Sequence, residues 1–272
     1  MSPTFERITS PHNARVKLVN TLRSKRGRER EGLFVIDDGR DLERALARDY
    51  ETAYAFVCSE QGPINTDLIA HIQGPVYDVP CAIMEKVSYR ENPSAVVAVM
   101  QQKPAKGSHD LGEISARFVL GLVNLQKPGN MGALMRTADA AGFGAVLLID
   151  TSLDLYNPNI IRSSTGACFL DNVFCVTSAE ALRFFKSSKT MIVAGHPDGG
   201  KDLFETRFSS PIAVILGTED AGLDDFWVAN SDETVTIPMS GTLSDSLNVS
   251  VSGAILMYEV YRQQQHATEP RA

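Results

Sequence analysis

The chain has 272 residues, 43% of them apolar and 22% charged, with a net charge of −7. That length favours two domains over one, and the composition is that of an ordinary globular protein, which excludes a disordered or collagen-like chain. No apolar run reaches the ~18 residues needed to cross a bilayer, and the first nine residues lack the apolar centre of a secretion signal, so the expectation is a cytoplasmic protein with no membrane partner.

The acidic total hides a basic start. Residues 1–30 hold Arg7, Arg15, Lys17, Arg23, Lys25, Arg26, Arg28 and Arg30 against Glu6 and Glu29, a balance of +6 that leaves −13 on the rest. A solvated helix face produces such a run, and so does a segment that binds phosphates locally; the second reading predicts salt-dependent binding to RNA. Residues 12–26 are helix-compatible, with Val16, Val19 and Leu22 at helical spacing. Then come a buried strand (32–36), a helix (41–48), a strand (53–58), a short helix (67–72), a strand (76–79), a helical stretch (82–87) and an apolar β-branched run (95–100). This alternation predicts an α/β domain over residues 1–104. Residues 101–110 have linker composition, and 105–116 are taken as the linker to a second domain at 117–272.

The α/β rhythm then restarts: a strand (118–125), a loop (126–129), a helix (131–141) and a strand (145–149). Asn157-Pro158 breaks the chain and starts a new element. Apolar runs of strand length follow at 173–176, 191–194 and 212–216, with a helix near 182–186 between the first two. Continuous β-branched runs of this kind suit a parallel sheet buried on both faces. Near the end, Ile237-Pro-Met-Ser-Gly-Thr-Leu-Ser-Asp-Ser-Leu-Asn-Val-Ser250 reads as a strand end, a polar loop and an abrupt helix start running to about Tyr261. Ser246 or Asn248 caps that helix, and the junction gathers backbone donors, a hydroxyl and an amide at one point. Cys58, Cys81, Cys168 and Cys175 show no CxxC spacing and no clustered histidines, so small core or surface thiols are expected, with neither a metal site nor a disulfide framework. His196, Asp198 and Lys201 fall in a Gly-rich loop and are given no chemistry.

Two further segments complete a pattern: Val123-Asn-Leu-Gln-Lys-Pro-Gly-Asn-Met-Gly-Ala-Leu-Met-Arg-Thr-Ala-Asp-Ala-Ala-Gly142 and Leu216-Gly-Thr-Glu-Asp-Ala-Gly-Leu223. Gly129 and Gly132 lack the GxGxxG spacing of a dinucleotide site. With the C-terminal stretch, in this order, the segments resemble the three signature motifs of the SpoU/TrmH family, in the SPOUT superfamily of RNA ribose methyltransferases. The resemblance runs from about Phe118 to Tyr261 and takes in Asn157-Pro-Asn-Ile-Ile-Arg-Ser-Ser-Thr-Gly166. It implies an α/β SPOUT domain with a deep trefoil knot, S-adenosylmethionine as cofactor, no metal, and a homodimer. The first half is similar to the ribosomal-protein-like α/β substrate-binding domain of many SpoU proteins, with Asp38-Gly39 where members carry Glu-Gly. That build resembles the 23S rRNA enzymes more than the compact tRNA enzymes. Some of the former confer resistance to ribosome-targeting antibiotics, a role the resemblance leaves open.

By the same resemblance Arg136 is the catalytic arginine, beside the target ribose and its phosphate. A guanidinium stays protonated, so a bidentate clamp on phosphate suits it better than a literal base. Asn130, Glu219, Ser246 and Asn248 complete the implied catalytic set. Gly217, Ile237, Met239, Leu247 and Asn248 are the implied cofactor contacts. Arg162 faces the substrate or cofactor cleft, or else serves a helix start or packing. The loop from Met239 to Ser246 is one residue longer than the common family form, which bears on the contacts of Ser246 and Leu247. Rival readings are a tRNA 2′-O-methyltransferase, a non-catalytic RNA-binding or assembly protein of the same fold, and a dinucleotide-dependent α/β enzyme.

Overall fold

The apolar runs form two separate sheets, in two structural units. The computed structural model describes residues 5–198, 200–243 and 246–268, with 266–268 described by backbone alone; Ser244 and Asp245, in the lengthened loop, lie outside the described residues. The first unit comprises the chain up to Pro104 together with Asp154–Phe169, and the second comprises Ala105–Leu153 and the chain from Leu170 onward.

In the first unit, β1 (Glu6–Arg7), β2 (Leu33–Ile36), β3 (Thr52–Val57), β4 (Val76–Asp78) and β5 (Val96–Gln101) lie in the order β1-β4-β3-β5-β2. β4 is parallel to β1 and β3, while β5 is antiparallel to β2 and β3. Helices α1 (Ala14–Thr21), α2 (Lys25–Glu31), α3 (Gly39–Leu46), α4 (Thr66–Ala70) and α5 (Cys81–Val87) complete it. The single helix expected over 12–26 is two helices. Ser24 caps the second, its Oγ accepting the Gly27 amide at 3.0 Å, and a Cβ on Gly27 would stand 2.0 Å from the Thr21 carbonyl oxygen. A short hydroxyl side chain prefers this cap to a helix interior, and the glycine permits the tight turn.

The second unit holds β6 (Phe118–Val123), β7 (Ala145–Ile149), β8 (Val173–Val176), β9 (Met191–Gly195), β10 (Lys201–Asp202), β11 (Ile212–Leu216) and β12 (Glu233–Thr236). They form one sheet in the order β10-β12-β9-β11-β6-β7-β8, with every pairing parallel. The central strand β11 is buried along its whole length, as a parallel strand covered on both faces should be. Helices α6 (Pro128–Ala140), α8 (Ser178–Ser187), α9 (Asp225–Asn230) and α10 (Val249–Thr268) belong to this unit, whereas α7 (Pro158–Ser164) belongs to the first. α6 starts three residues earlier than expected because Pro128, with no amide to lose, occupies its first turn. α10 packs on α6 at Gly253, where a Cβ would meet Leu134 Cδ2 at 2.3 Å. Within 105–116, Ser108–Glu113 forms a 3₁₀ turn with Leu111 buried.

The excursion Asp154–Phe169 packs into the first unit through aromatic contacts. The Phe34 ring stacks on Tyr156 at 4.4 Å and lies 6.0 Å from Phe169, with Tyr50 edge-on to all three rings. Asn157 caps α7 by accepting the Asn159 amide at 2.9 Å, so Asn157-Pro158 does start an element. Arg28, expected among the RNA contacts, is instead a core cation. It is 2% exposed; its Nε donates to Asp154 Oδ2 at 2.6 Å and its Nη1 to the carbonyls of Leu22 and Arg23. Arg28→Ala would strand the Asp154 carboxylate and leave the Leu22 and Arg23 carbonyls without this donor. The first unit is expected to lose about 3–5 kcal/mol in chemical unfolding; a loss below 1 kcal/mol would show that the pair is dispensable.

Candidate active site

Because β9, β11 and β6 are parallel neighbours, the loops after their C-terminal ends emerge on one edge of the sheet, where open α/β sheets bind ligands. The loop after β11 folds back on itself. The Thr218 amide donates to the Gly222 carbonyl at 2.9 Å, and the Gly222 amide to the Thr218 carbonyl at 3.1 Å. Gly222 sits at φ +68°, and a Cβ on Gly217 would stand 2.0 Å from the Gly222 oxygen. Only glycine fits both positions.

The tip of that loop aims Glu219 at the first motif. Its Oε1 accepts the Asn130 side-chain amide at 2.9 Å and the Lys127 backbone amide at 3.1 Å, while Oε2 accepts the Gln126 amide at 3.3 Å. Asn130 Oδ1 in turn accepts the Asn248 side-chain amide at 3.2 Å. Asn248 Oδ1 accepts the Ser250 amide and hydroxyl, at 2.9 and 2.6 Å. Of the two candidate caps for α10, Asn248 therefore makes the bonds. Glu219, Asn130 and Asn248 form one continuous chain, each from a different motif.

Burial pushes the Glu219 carboxyl up, but hydrogen bonds from Asn130 and from the amides of Glu219, Gln126 and Lys127 outweigh it and hold the group below the ordinary glutamate range. A carboxyl depressed on folding stabilises the fold above its unfolded value of about 4.3, and that contribution fades as pH falls through the lower folded value. The stability difference between the wild-type chain and Glu219→Gln is therefore expected to shrink between roughly pH 5 and pH 3. A difference that stays constant over that range in pH-dependent unfolding would contradict the assignment.

Beside this chain lies a cavity of about 260 Å³. Gly217, Ile237, Met239, Leu247 and Ser246 line it, as does Glu219. Asn248 does not line it, and meets the site through Asn130. Arg136 stands apart: six residues beyond Asn130 on α6, about 9 Å along the axis, it is exposed and makes no hydrogen bond or ion pair among the described residues. His196 and Asp198, given no chemistry from sequence, also line the cavity. The signal for them is the strand order: they follow β9, which lies next to β11, and no local pattern reveals that neighbour.

A SpoU rRNA methylase profile matches residues 117–258, and an MRM3-like substrate-binding-domain profile matches residues 13–98. The chain belongs to the SpoU rRNA methylase family. A 23S rRNA (uridine-2′-O)-methyltransferase of Streptomyces viridochromogenes is 30% identical over 96% of this chain and 94% of its own. The crystal structure of an RNA 2′-O ribose methyltransferase superposes with a TM-score of 0.81 at 35% identity, covering 95% of this chain and 99% of that one. The SpoU methyltransferase AviRb of Streptomyces viridochromogenes, in complex with S-adenosylmethionine, gives a TM-score of 0.82 at 25% identity over 93% and 99% of the two chains. This SpoU protein is an RNA 2′-O-methyltransferase and uses S-adenosylmethionine.

The cavity fits that cofactor by chemistry. The glycine floor at Gly195 and Gly217 brings backbone amides and carbonyls close to a ligand, Leu216, Ile237 and Leu256 offer apolar walls to a flat base, and Thr218 and Ser252 supply hydroxyls. Of the basic residues expected to meet RNA, Arg15, Lys17, Arg23, Lys25, Arg26 and Arg30 are exposed. Arg15 lies over the Tyr77 ring at 4.7 Å, and Arg23 donates to the carbonyls of Lys86 and Ser88. Arg162, on α7, belongs to the first unit, and its Nε is buried with no hydrogen-bond partner. Among the described residues no helix is long and apolar enough to cross a membrane.

Proposed function

We propose that this SpoU methylase acts on a ribose 2′-hydroxyl of 23S rRNA, in the cytoplasm and as a homodimer. The observation that carries the reading is the Glu219–Asn130–Asn248 chain at the edge of the cavity, which joins all three motifs. S-adenosylmethionine supplies an electrophilic methyl group; the protein's part is to orient both partners and to ease loss of the hydroxyl proton. Gly217, Ile237, Met239 and Leu247 hold the cofactor, with Ser246 at the cavity wall. Glu219 fixes the amides of Gln126 and Lys127 and the carboxamide of Asn130, so these groups meet the ribose already oriented. Arg136 clamps the neighbouring phosphate in a bidentate contact and stabilises charge developing on the oxygen. The exposed cations of α1 and α2, with Arg162, bind the RNA backbone. In this reading the chain passes through the trefoil knot that the family resemblance implies.

Val251, Tyr258 and Tyr261 support the dimer: they are 47%, 48% and 41% exposed, and their spacing puts them along one side of α10. A second copy would cover them. Sedimentation is expected to give a dimer for the wild-type chain and a monomer of reduced activity for the double variant Tyr258→Glu/Tyr261→Glu; a wild-type monomer at full activity would contradict it. The RNA assignment is tested by offering labelled cofactor with 23S rRNA, small-subunit rRNA and tRNA in parallel. Incorporation into 23S rRNA is expected, and incorporation into tRNA alone would overturn the choice of substrate.

A further inference from the structure

Two cysteines that the sequence keeps 23 residues apart meet at the strand ends of the first unit. β3 and β4 are parallel neighbours, with Val57 opposite Asp78 and the Val79 amide bonded to the Val57 carbonyl at 2.8 Å. Cys58 follows β3 directly, and Cys81 opens α5 just after β4. Their Sγ atoms are 3.4 Å apart. Both are free thiols, as expected, but parallel strand pairing brings together what spacing does not.

A third donor completes the cluster. Glu60, in the turn after Cys58, bends back so that its Oε2 accepts the Cys81 amide at 3.1 Å. One donor atom from each of Cys58, Glu60 and Cys81 lies within 4.8 Å of the other two. Cys58 is buried, Cys81 half-buried and Glu60 exposed, so the cluster has a solid floor and an open side. Arg7 bridges Glu60 and Asp78. Two carboxylates against one guanidinium leave the surroundings net negative, which favours a cation.

We propose that Cys58, Cys81 and Glu60 bind a thiophilic divalent cation of the zinc class, tying the end of β3 to the start of α5. Two sulfurs on one tetrahedral zinc, each at ~2.3 Å, stand roughly 3.8 Å apart. The pair here needs to open by only a few tenths of an ångström to reach that spacing, whereas a disulfide requires closure to ~2.05 Å. On binding, each thiol gives its proton to solvent and becomes a thiolate ligand. Glu60 supplies a carboxylate oxygen, Arg7 stays with Asp78, and water completes the tetrahedron.

The test is a titration of the full chain with cadmium under a phosphine reductant. An ultraviolet thiolate-to-cadmium band is expected to saturate at one equivalent per chain, with a rise in the unfolding temperature. Cys81→Ser removes both signals, Glu60→Gln weakens binding roughly ten-fold or more, and Cys175→Ser, in the other unit, leaves them intact. A readout that needs no variant is alkylation of Cys81 in the native protein, which bound cadmium should block. No band, a band undiminished in Cys81→Ser, or alkylation unaffected by cadmium would overturn the site. So would a reduced chain that binds no cadmium yet forms the Cys58–Cys81 disulfide in air.

Discussion

Replacing Arg136 with alanine is expected to lower methyl transfer by at least 10²–10³-fold, the usual cost of removing a group that meets charge developing in the transition state. Affinity for S-adenosylmethionine should stay within about two-fold of wild type, because Arg136 does not line the cavity. Stability should move by no more than about 0.5 kcal/mol, since the side chain is exposed and makes no hydrogen bond or ion pair among the described residues. Arg136→Lys should fail almost as badly: an ammonium cannot make the planar two-point contact to phosphate. Single-turnover transfer and calorimetric cofactor titration on the same preparations separate the effects. Near-normal turnover of Arg136→Ala would remove the residue from the reaction.

Gly217→Ala should act on the other half of the site. The new Cβ would stand 2.0 Å from the Gly222 carbonyl oxygen and 2.4 Å from the Leu223 amide nitrogen, both backbone atoms that no side-chain rotation can move aside. The loop must open, and with it the anchor of Glu219 on Asn130 and on the amides of Gln126 and Lys127. Overpacking of this kind costs about 1–3 kcal/mol in stability. Cofactor affinity is expected to drop by roughly 10²-fold or more, which corresponds to the loss of about 2.7 kcal/mol of binding. Gly241→Ala is the control, since nothing lies within 4 Å of a Cβ there. Wild-type cofactor affinity in Gly217→Ala would mean that the cavity beside this loop is not the cofactor site.

Much of this arrangement is written locally. The β-branched runs at 118–123, 145–149 and 212–216 become buried parallel strands because a strand covered on both faces has no polar side to show. Asn248 caps α10, as a short polar side chain before an apolar helix should. The motifs that carried the family resemblance meet at Glu219, Asn130 and Asn248, although periodicity alone says nothing of that meeting. Other features depend on long-range packing. Ser24 and Gly27 split one expected helix into two through a turn whose tightness shows only in three dimensions. Arg28 reads as one more surface cation until Asp154, more than a hundred residues on, is found beside it. His196 and Cys81 likewise acquire their neighbours from strand order, which pairs β9 with β11 and β3 with β4.

The proposed function requires that one ribose oxygen of RNA receive the methyl group of S-adenosylmethionine. RNA methylated with labelled cofactor and then hydrolysed in alkali decides it, because a methylated 2′-oxygen can no longer attack its neighbouring phosphodiester. Label recovered in alkali-resistant dinucleotides, and absent from the product of Arg136→Ala, is the predicted result. Label released in ordinary mononucleotides would place the methyl group on a base and contradict the mechanism.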